Sequence, residues 1–251
     1  MSSLSSPWFK SHGSTERGAV RLFCFHCAGG SAAAFRDWPR QLSRQIELVT
    51  VQLPGREWRF GETPFRRMEP LIGELAEQIA PRLGERYVFF GHSMGALISF
   101  ELLREIQHRQ LPPPVLYFPA GLRAPQIPDH DPPIHHLPDH EFLSNLLEHH
   151  DDRLTVMTGN DGLRSILLPC MRADVELCET YRYKQGQPLS CPIFALGGMA
   201  DPEVTEDDLR SWKEQTTATF RYFLYPGGHF FIDTAAARVL QLVSRTLEVI
   251  P

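Results

Sequence analysis

The chain has 251 residues, 42% hydrophobic and 22% charged, with a formal net charge of -5; this fits an ordinary globular protein with room for a sizeable core. The net acidity supplies no global field for nucleic acid or an anionic membrane surface. No apolar run reaches the roughly 18 to 20 residues that span a bilayer, and five cysteines read as buried thiols rather than a disulfide framework.

Residues 1–18 are polar, with no apolar stretch behind a basic start, so they read as a flexible leader and not a signal peptide. A single domain over 19–251, cytoplasmic and monomeric, is expected to follow. "AVRLFCF" (19–25) is a candidate strand, with a helix near 33–44. "IELVTVQL" (46–53) is a second strand, ended by Pro54-Gly55. From about Glu69 to Leu83 the spacing of Leu71, Leu75, Ile79 and Leu83 predicts a helix with one buried face, Pro70 in its first turn and Gly84 past its end. "YVFF" (87–90) is apolar throughout, as a central parallel strand should be.

Further strands are expected at 115–120, 191–197 and 219–225. A helix opens at Thr205-Glu206-Asp207-Asp208 with a capping-box pattern, and a last helix covers about 234–247. Strand and helix alternation of this kind predicts an α/β fold with a mostly parallel central sheet and helices on both faces. Between about 123 and 187 the strands stop. The chain becomes rich in Pro, His and Asp and then helical at about 139–149 and 163–182, which reads as a helical lid inserted over the sheet's C-terminal edge.

Within "VFFGHSMGALISFELL" (88–103), Gly91-His92-Ser93-Met94-Gly95 matches G-x-S-x-G between a strand and a helix. In that context the serine sits on a sharp, strained turn with its Oγ raised above the sheet, and side chains at 91 or 95 would collide with neighbouring backbone. A serine hydroxyl needs a base, and the base needs an orienting acid. Asp201 follows the 191–197 strand in "ALGGMADPEV", and His229 follows the 219–225 strand in "YPGGHFFID". Order, strand ends and flanking glycines agree for Ser93, Asp201 and His229 as a catalytic triad. Asp207 and Asp208 are the alternative acids, although they look like first-turn helix residues.

Backbone donors for a tetrahedral oxyanion are expected at Met94 and in the glycine-rich loop "FHCAGGSAAAF", at Ala28 or alternatively Gly29. His92 should diverge from Ser93 and pack. Cys24-x-x-Cys27 lies on a strand and not at a helix start, so redox or zinc chemistry is not expected. "DHDPPIHHLPDHEF" and "EHHDD" are dense in possible ligands but contain no H-E-x-x-H, and no metal site is assigned. Arg36, Arg40 and Arg44 fall at helical spacing, and Arg56, Arg59, Arg66 and Arg67 make a second basic run. Either could meet an acidic partner or simply be a wet face. Phe142, Leu146, Leu147 and Leu168 could line an acyl pocket or pack the insertion.

Five segments in order, "CFHCAGGSA", "VQLPGREWR", "FFGHSMGA", "LGGMADPEV" and "YPGGHFFI", resemble the type II thioesterases, the stand-alone α/β-hydrolases of nonribosomal peptide and polyketide synthesis. Where the family commonly has Pro and His before the alanine of the first motif, this chain has His26 and Cys27. The resemblance implies a serine thioesterase that clears acyl or aminoacyl groups from the phosphopantetheine arm of acyl or peptidyl carrier proteins. The phosphopantetheine belongs to that substrate, and no cofactor of the enzyme's own is implied. A general esterase or acyltransferase on the same triad and a non-catalytic synthase-binding scaffold are the rival readings.

Overall fold

The computed structural model describes residues 6–12, 19–84, 86–129, 131–149 and 160–249. Seven strands form one sheet in the order β1-β3-β2-β4-β5-β6-β7. These are β1 (Phe9–His12), β2 (Val20–Phe25), β3 (Ile46–Val51), β4 (Tyr87–His92), β5 (Leu116–Ala120), β6 (Ile193–Gly198) and β7 (Phe220–Tyr225). All neighbours are parallel except β1, which runs antiparallel to β3 with Phe9 opposite Val51. Part of the expected leader is therefore structured: residues 9–12 pair with β3, and Trp8 is buried just before them. Residues 1–5 and 13–18 of that leader lie outside the described residues.

Strand periodicity divides the core cleanly. Phe23, Phe25, Tyr87 and Phe89 join one cluster, whereas Leu22, Cys24, Val88 and Phe90 join the other. Successive side chains of one strand point to opposite faces, so both faces must be covered. Helix α1 (Met68–Ile79) and helix α2 (Met94–His108) cover the first, with Leu71, Leu75 and Ile79 buried on α1 as their spacing predicts. Pro81 ends α1 early, and a 3-10 turn over Ala80–Arg82 replaces its last turn. Helix α7 (Ala236–Val249) packs Val239, Leu240, Val243 and Leu247 against the second face.

The helix expected near 33–44 is absent. Two 3-10 turns, Ala32–Phe35 and Trp38–Arg40, stand there instead. Pro39 disfavours the α conformation at Trp38, and burial of Phe35 and Trp38 ring-to-edge against Phe90 fixes the broken path. Arg36, Arg40 and Arg44 are consequently not one helical stripe.

Between β5 and β6 lies the helical insertion, with α3 (Asp139–His149) and α4 (Asp161–Glu179). It has a small core of its own, in which Phe142, Leu143, Leu146, Leu168 and Met171 are buried and Ala28 packs against them. Two further short helices among the described residues are α5 (Glu206–Arg210), which opens on the capping box of Thr205 and Asp208, and α6 (Phe231–Thr234). Among the described residues no helix is long and apolar enough to cross a membrane.

Candidate active site

Strand order turns around between β2 and β4: β3 lies beyond β2 on one side, and β5 to β7 follow β4 on the other. Loops leaving the carboxyl ends of strands at such a switch point form a crevice, the usual ligand site of an open parallel sheet. The loop after β2 carries Ala28, the turn after β4 carries Ser93, the loop after β6 carries Asp201 and the loop after β7 carries His229. All four therefore emerge at the same edge.

Ser93 has φ 52° and ψ -120°, a strained setting for a side chain with a Cβ. From Tyr87 to Phe100 it is the one residue not buried, so the bend lifts a hydroxyl out of an otherwise apolar run. The bend depends on the two glycines. A Cβ on Gly95 would lie 2.2 Å from the Phe25 carbonyl oxygen, and one on Gly91 would lie 2.4 Å from the Gly95 oxygen. Ser93 N–H donates to Ala120 O at 2.8 Å, which pins the turn to β5. Met94 begins α2, where a helix leaves its first N–H groups without partners inside the helix.

His229 and Asp201 come together because their loops interlock. Met199 N–H donates to Tyr225 O and Ala200 N–H to Gly227 O, while a Cβ on Gly198 would lie 2.2 Å from Gly228 O. The result is a contact of 3.0 Å between His229 Nδ1 and Asp201 Oδ2, with side chains 7% and 0% exposed. Asp201 Oδ1 accepts from Glu203 N–H at 2.9 Å, so the carboxylate cannot swing away. The Glu203 carboxylate itself is farther from the ring, at 3.9 Å. Asp207 and Asp208 are occupied at the start of α5, where Asp208 closes the capping box.

His92 packs, as expected, but it also bonds: its ring Nε2 stands 2.9 Å from the His229 carbonyl oxygen, and its ring lies against Phe230 and Phe231. Gly30 N–H is turned to Cys27 O, and Gly29 N–H is taken by the Asp174 carboxylate at 2.8 Å. Gly29 is thereby removed as the alternative oxyanion donor. Arg56 is buried and pairs with Asp174, and so it presents no charge to solvent. Arg59 is buried too, stacked over the Trp8 ring, while Arg66 and Arg67 both bond Glu176. Arg36 and Arg40 remain well exposed around Asp37. Phe142 and Leu146 are in the insertion's core, with the Arg172 guanidinium over the Phe142 ring.

Asp174 and Glu203 are the residues of this region that sequence reasoning missed, along with the bond that His92 makes to the His229 carbonyl. Asp174 had a signal: it interrupts the apolar spacing of Met171 and Leu177 on α4, and a buried acid requires a partner. None of the five cysteines is joined in a disulfide. Burial pushes the Cys170 thiol up to about 11 and raises Cys24 strongly, which makes neither a ready nucleophile. Among the described residues no group of three or more His, Cys, Asp or Glu side chains could hold a metal; most of "EHHDD" lies outside them.

A family model described as Thioesterase domain matches residues 20–247. The chain belongs to the thioesterase family. It is 40% identical over 245 residues to the linear gramicidin dehydrogenase LgrE of Brevibacillus parabrevis, covering 97% of this chain and 93% of that one. With the gramicidin S biosynthesis protein GrsT of Aneurinibacillus migulanus it shares 39% identity over 243 residues, 97% and 94% of the two chains. Among solved structures, the type II thioesterase BorB from the borrelidin biosynthetic cluster superposes with a TM-score of 0.86 at 30% identity, over 97% of both chains. The sequence contains no G-x-G-x-x-G loop, since no two of its glycines stand two apart.

Proposed function

We propose that this chain is a stand-alone serine thioesterase that hydrolyses acyl or aminoacyl thioesters from the phosphopantetheine arm of carrier proteins, clearing stalled nonribosomal peptide or polyketide synthases. The observation that carries the reading is the buried His229–Asp201 contact of 3.0 Å at the sheet edge where the strained Ser93 turn emerges. The biosynthetic names and the type II thioesterase structure among the relatives support the substrate class.

In this mechanism His229 Nε2 takes the proton as Ser93 Oγ attacks the thioester carbonyl. Asp201 keeps the proton on Nδ1 and stabilises the imidazolium. Met94 and Ala28 N–H groups receive the oxyanion, each such donor contributing roughly 3 kcal/mol. The C–S bond breaks, the thiol leaves with a proton from His229, and water activated by the same imidazole releases the acid. Every reacting group comes from the chain, the substrate or water, and the carrier brings the phosphopantetheine. The proposal includes a helical lid formed by α3 and α4, a monomeric cytoplasmic enzyme, and Arg36 and Arg40 as contacts for an acidic carrier.

A panel of acyl-loaded carrier proteins with free-thiol detection tests it, run beside matched oxygen esters. Thiol release well above ester turnover is the expected result. Preferential ester cleavage would identify a general esterase on the same triad, and no turnover of either would favour a scaffold.

A further inference from the structure

The loop after β2 is held by a carboxylate to which the reaction assigns no part. Asp174, on α4, has a side chain 3% exposed and meets Arg56, 9% exposed, in a two-pronged ion pair. Arg56 Nη1 donates to Oδ2 at 2.6 Å and Nη2 to Oδ1 at 2.7 Å. The same Oδ2 accepts from Gly29 N–H at 2.8 Å, and Nη1 also donates to the Gly30 carbonyl at 3.1 Å. Met171, one turn earlier on α4, closes over the same glycine: a Cβ on Gly29, which sits at φ 64°, would lie 2.0 Å from Met171 Cε.

A buried ion pair is a poor way merely to hold a helix, because apolar residues of similar volume hold it as well or better. The third bond, to Gly29 N–H, is something apolar residues cannot make. That N–H belongs to the peptide joining Ala28 to Gly29, so fixing it fixes the backbone on one side of the Ala28 Cα. The Ala28 N–H projects from the other side. A misplacement of about 1 Å in such a group costs on the order of a hundredfold in rate.

We propose that Asp174, held by Arg56, is a positioning residue for the oxyanion hole: it occupies Gly29 N–H and sets the turn so that Ala28 N–H faces the developing oxyanion. It acts through Gly29 and touches no reacting atom. The inference rests on the assignment of Ser93 as nucleophile and of Met94 and Ala28 as donors.

Two double variants separate positioning from stability, because each removes the buried charges together. Arg56→Met with Asp174→Leu leaves Gly29 N–H no acceptor, whereas Arg56→Met with Asp174→Asn keeps one. Thermal melting establishes that each is folded, and kinetics follow on an acyl-pantetheine thioester. The first variant is expected to lose about 10- to 100-fold in kcat with KM within about twofold. It should lose affinity by the same factor for a trifluoromethyl ketone analogue of the thioester, whose carbonyl Ser93 Oγ adds to while His229 takes the proton. The asparagine variant should recover most of both. Wild-type kcat in the folded leucine variant, or equal loss in the two, overturns the proposal. Ser93→Ala in the same assay tells the two levels apart: retained turnover there sinks the serine reading, whereas its loss beside normal leucine-variant kinetics sinks the positioning role alone.

Discussion

His229 Nδ1 stands 3.0 Å from Asp201 Oδ2, while the next carboxylate, that of Glu203, stops at 3.9 Å from the same nitrogen. The difference separates a hydrogen bond from a Coulombic neighbour. In the proposed triad Asp201 is thus the group that keeps the proton on Nδ1 and makes Nε2 the base toward Ser93.

Asp201→Asn is expected to lower kcat about a thousandfold or more while leaving the fold intact, because the amide favours the wrong tautomer. Glu203→Gln should cost less than about tenfold, and Asp208→Ala should cost about 1 kcal/mol of stability through the lost capping box with turnover unchanged. Steady-state kinetics with urea unfolding on the three variants checks this. A larger kinetic loss in Glu203→Gln than in Asp201→Asn would reassign the acid.

His26 makes stability depend on pH. Burial, helped by the nearby Arg56 charge, lowers its value from 6.5 to about 4, and its Nε2 has no hydrogen-bond partner among the described residues. With the folded value below the ordinary one, the unfolded chain binds the extra proton between pH 6.5 and about 4. The stability tied to neutral His26 is whole above pH 6.5 and is lost as the pH falls to about 4, amounting to about 3 kcal/mol. Urea midpoints at pH 7.5 and pH 4.5 should differ accordingly, and the difference should shrink in His26→Leu. An equal difference in that variant would place the acid sensitivity elsewhere.

Gly95→Ala places a methyl 2.2 Å from a backbone oxygen of β2, with no flexible side chain to yield. A loss of roughly 3 kcal/mol or more is expected, together with loss of activity. Gly73→Ala is the control: it lies within α1 with nothing within 4 Å of its added Cβ, so it should leave stability the same or slightly higher. Thermal melts of the two variants decide the point.

Much of this architecture is written locally. The elbow glycines, the capping box of α5 and the spacing of Leu71, Leu75 and Ile79 each depend on backbone geometry or burial that a few adjacent residues dictate. Asp201 and His229 were legible because loops at strand ends share an edge once the strands are parallel. The failures have the opposite character. β1 is a four-residue edge strand whose pairing is supplied by β3, about 40 residues away, and nothing in "FKSH" itself announces it. The Arg56–Asp174 pair joins residues 118 apart. As a sequence pattern Arg56 is one more basic residue beside Arg59, and only tertiary packing turns it inward.

Arg36 and Arg40 are exposed cations that follow the loop after β2 in the chain. If they meet an acidic carrier, Arg36→Glu with Arg40→Glu should raise KM for acyl-carrier protein at least about fivefold at low salt and leave KM for acyl-pantetheine unchanged. A parallel change for both substrates would point to a disturbed site and not to docking.

The proposed reaction requires above all that the oxygen of Ser93 become acylated. Rapid quenching of enzyme with an acyl-loaded carrier, followed by intact-mass and peptide mapping, measures that directly alongside thiol release. An acyl adduct on the peptide that carries Ser93, and release at least about 1000-fold slower in a folded Ser93→Ala, is the predicted result. Near-normal release by that variant, with no adduct on the wild-type serine, would contradict the account.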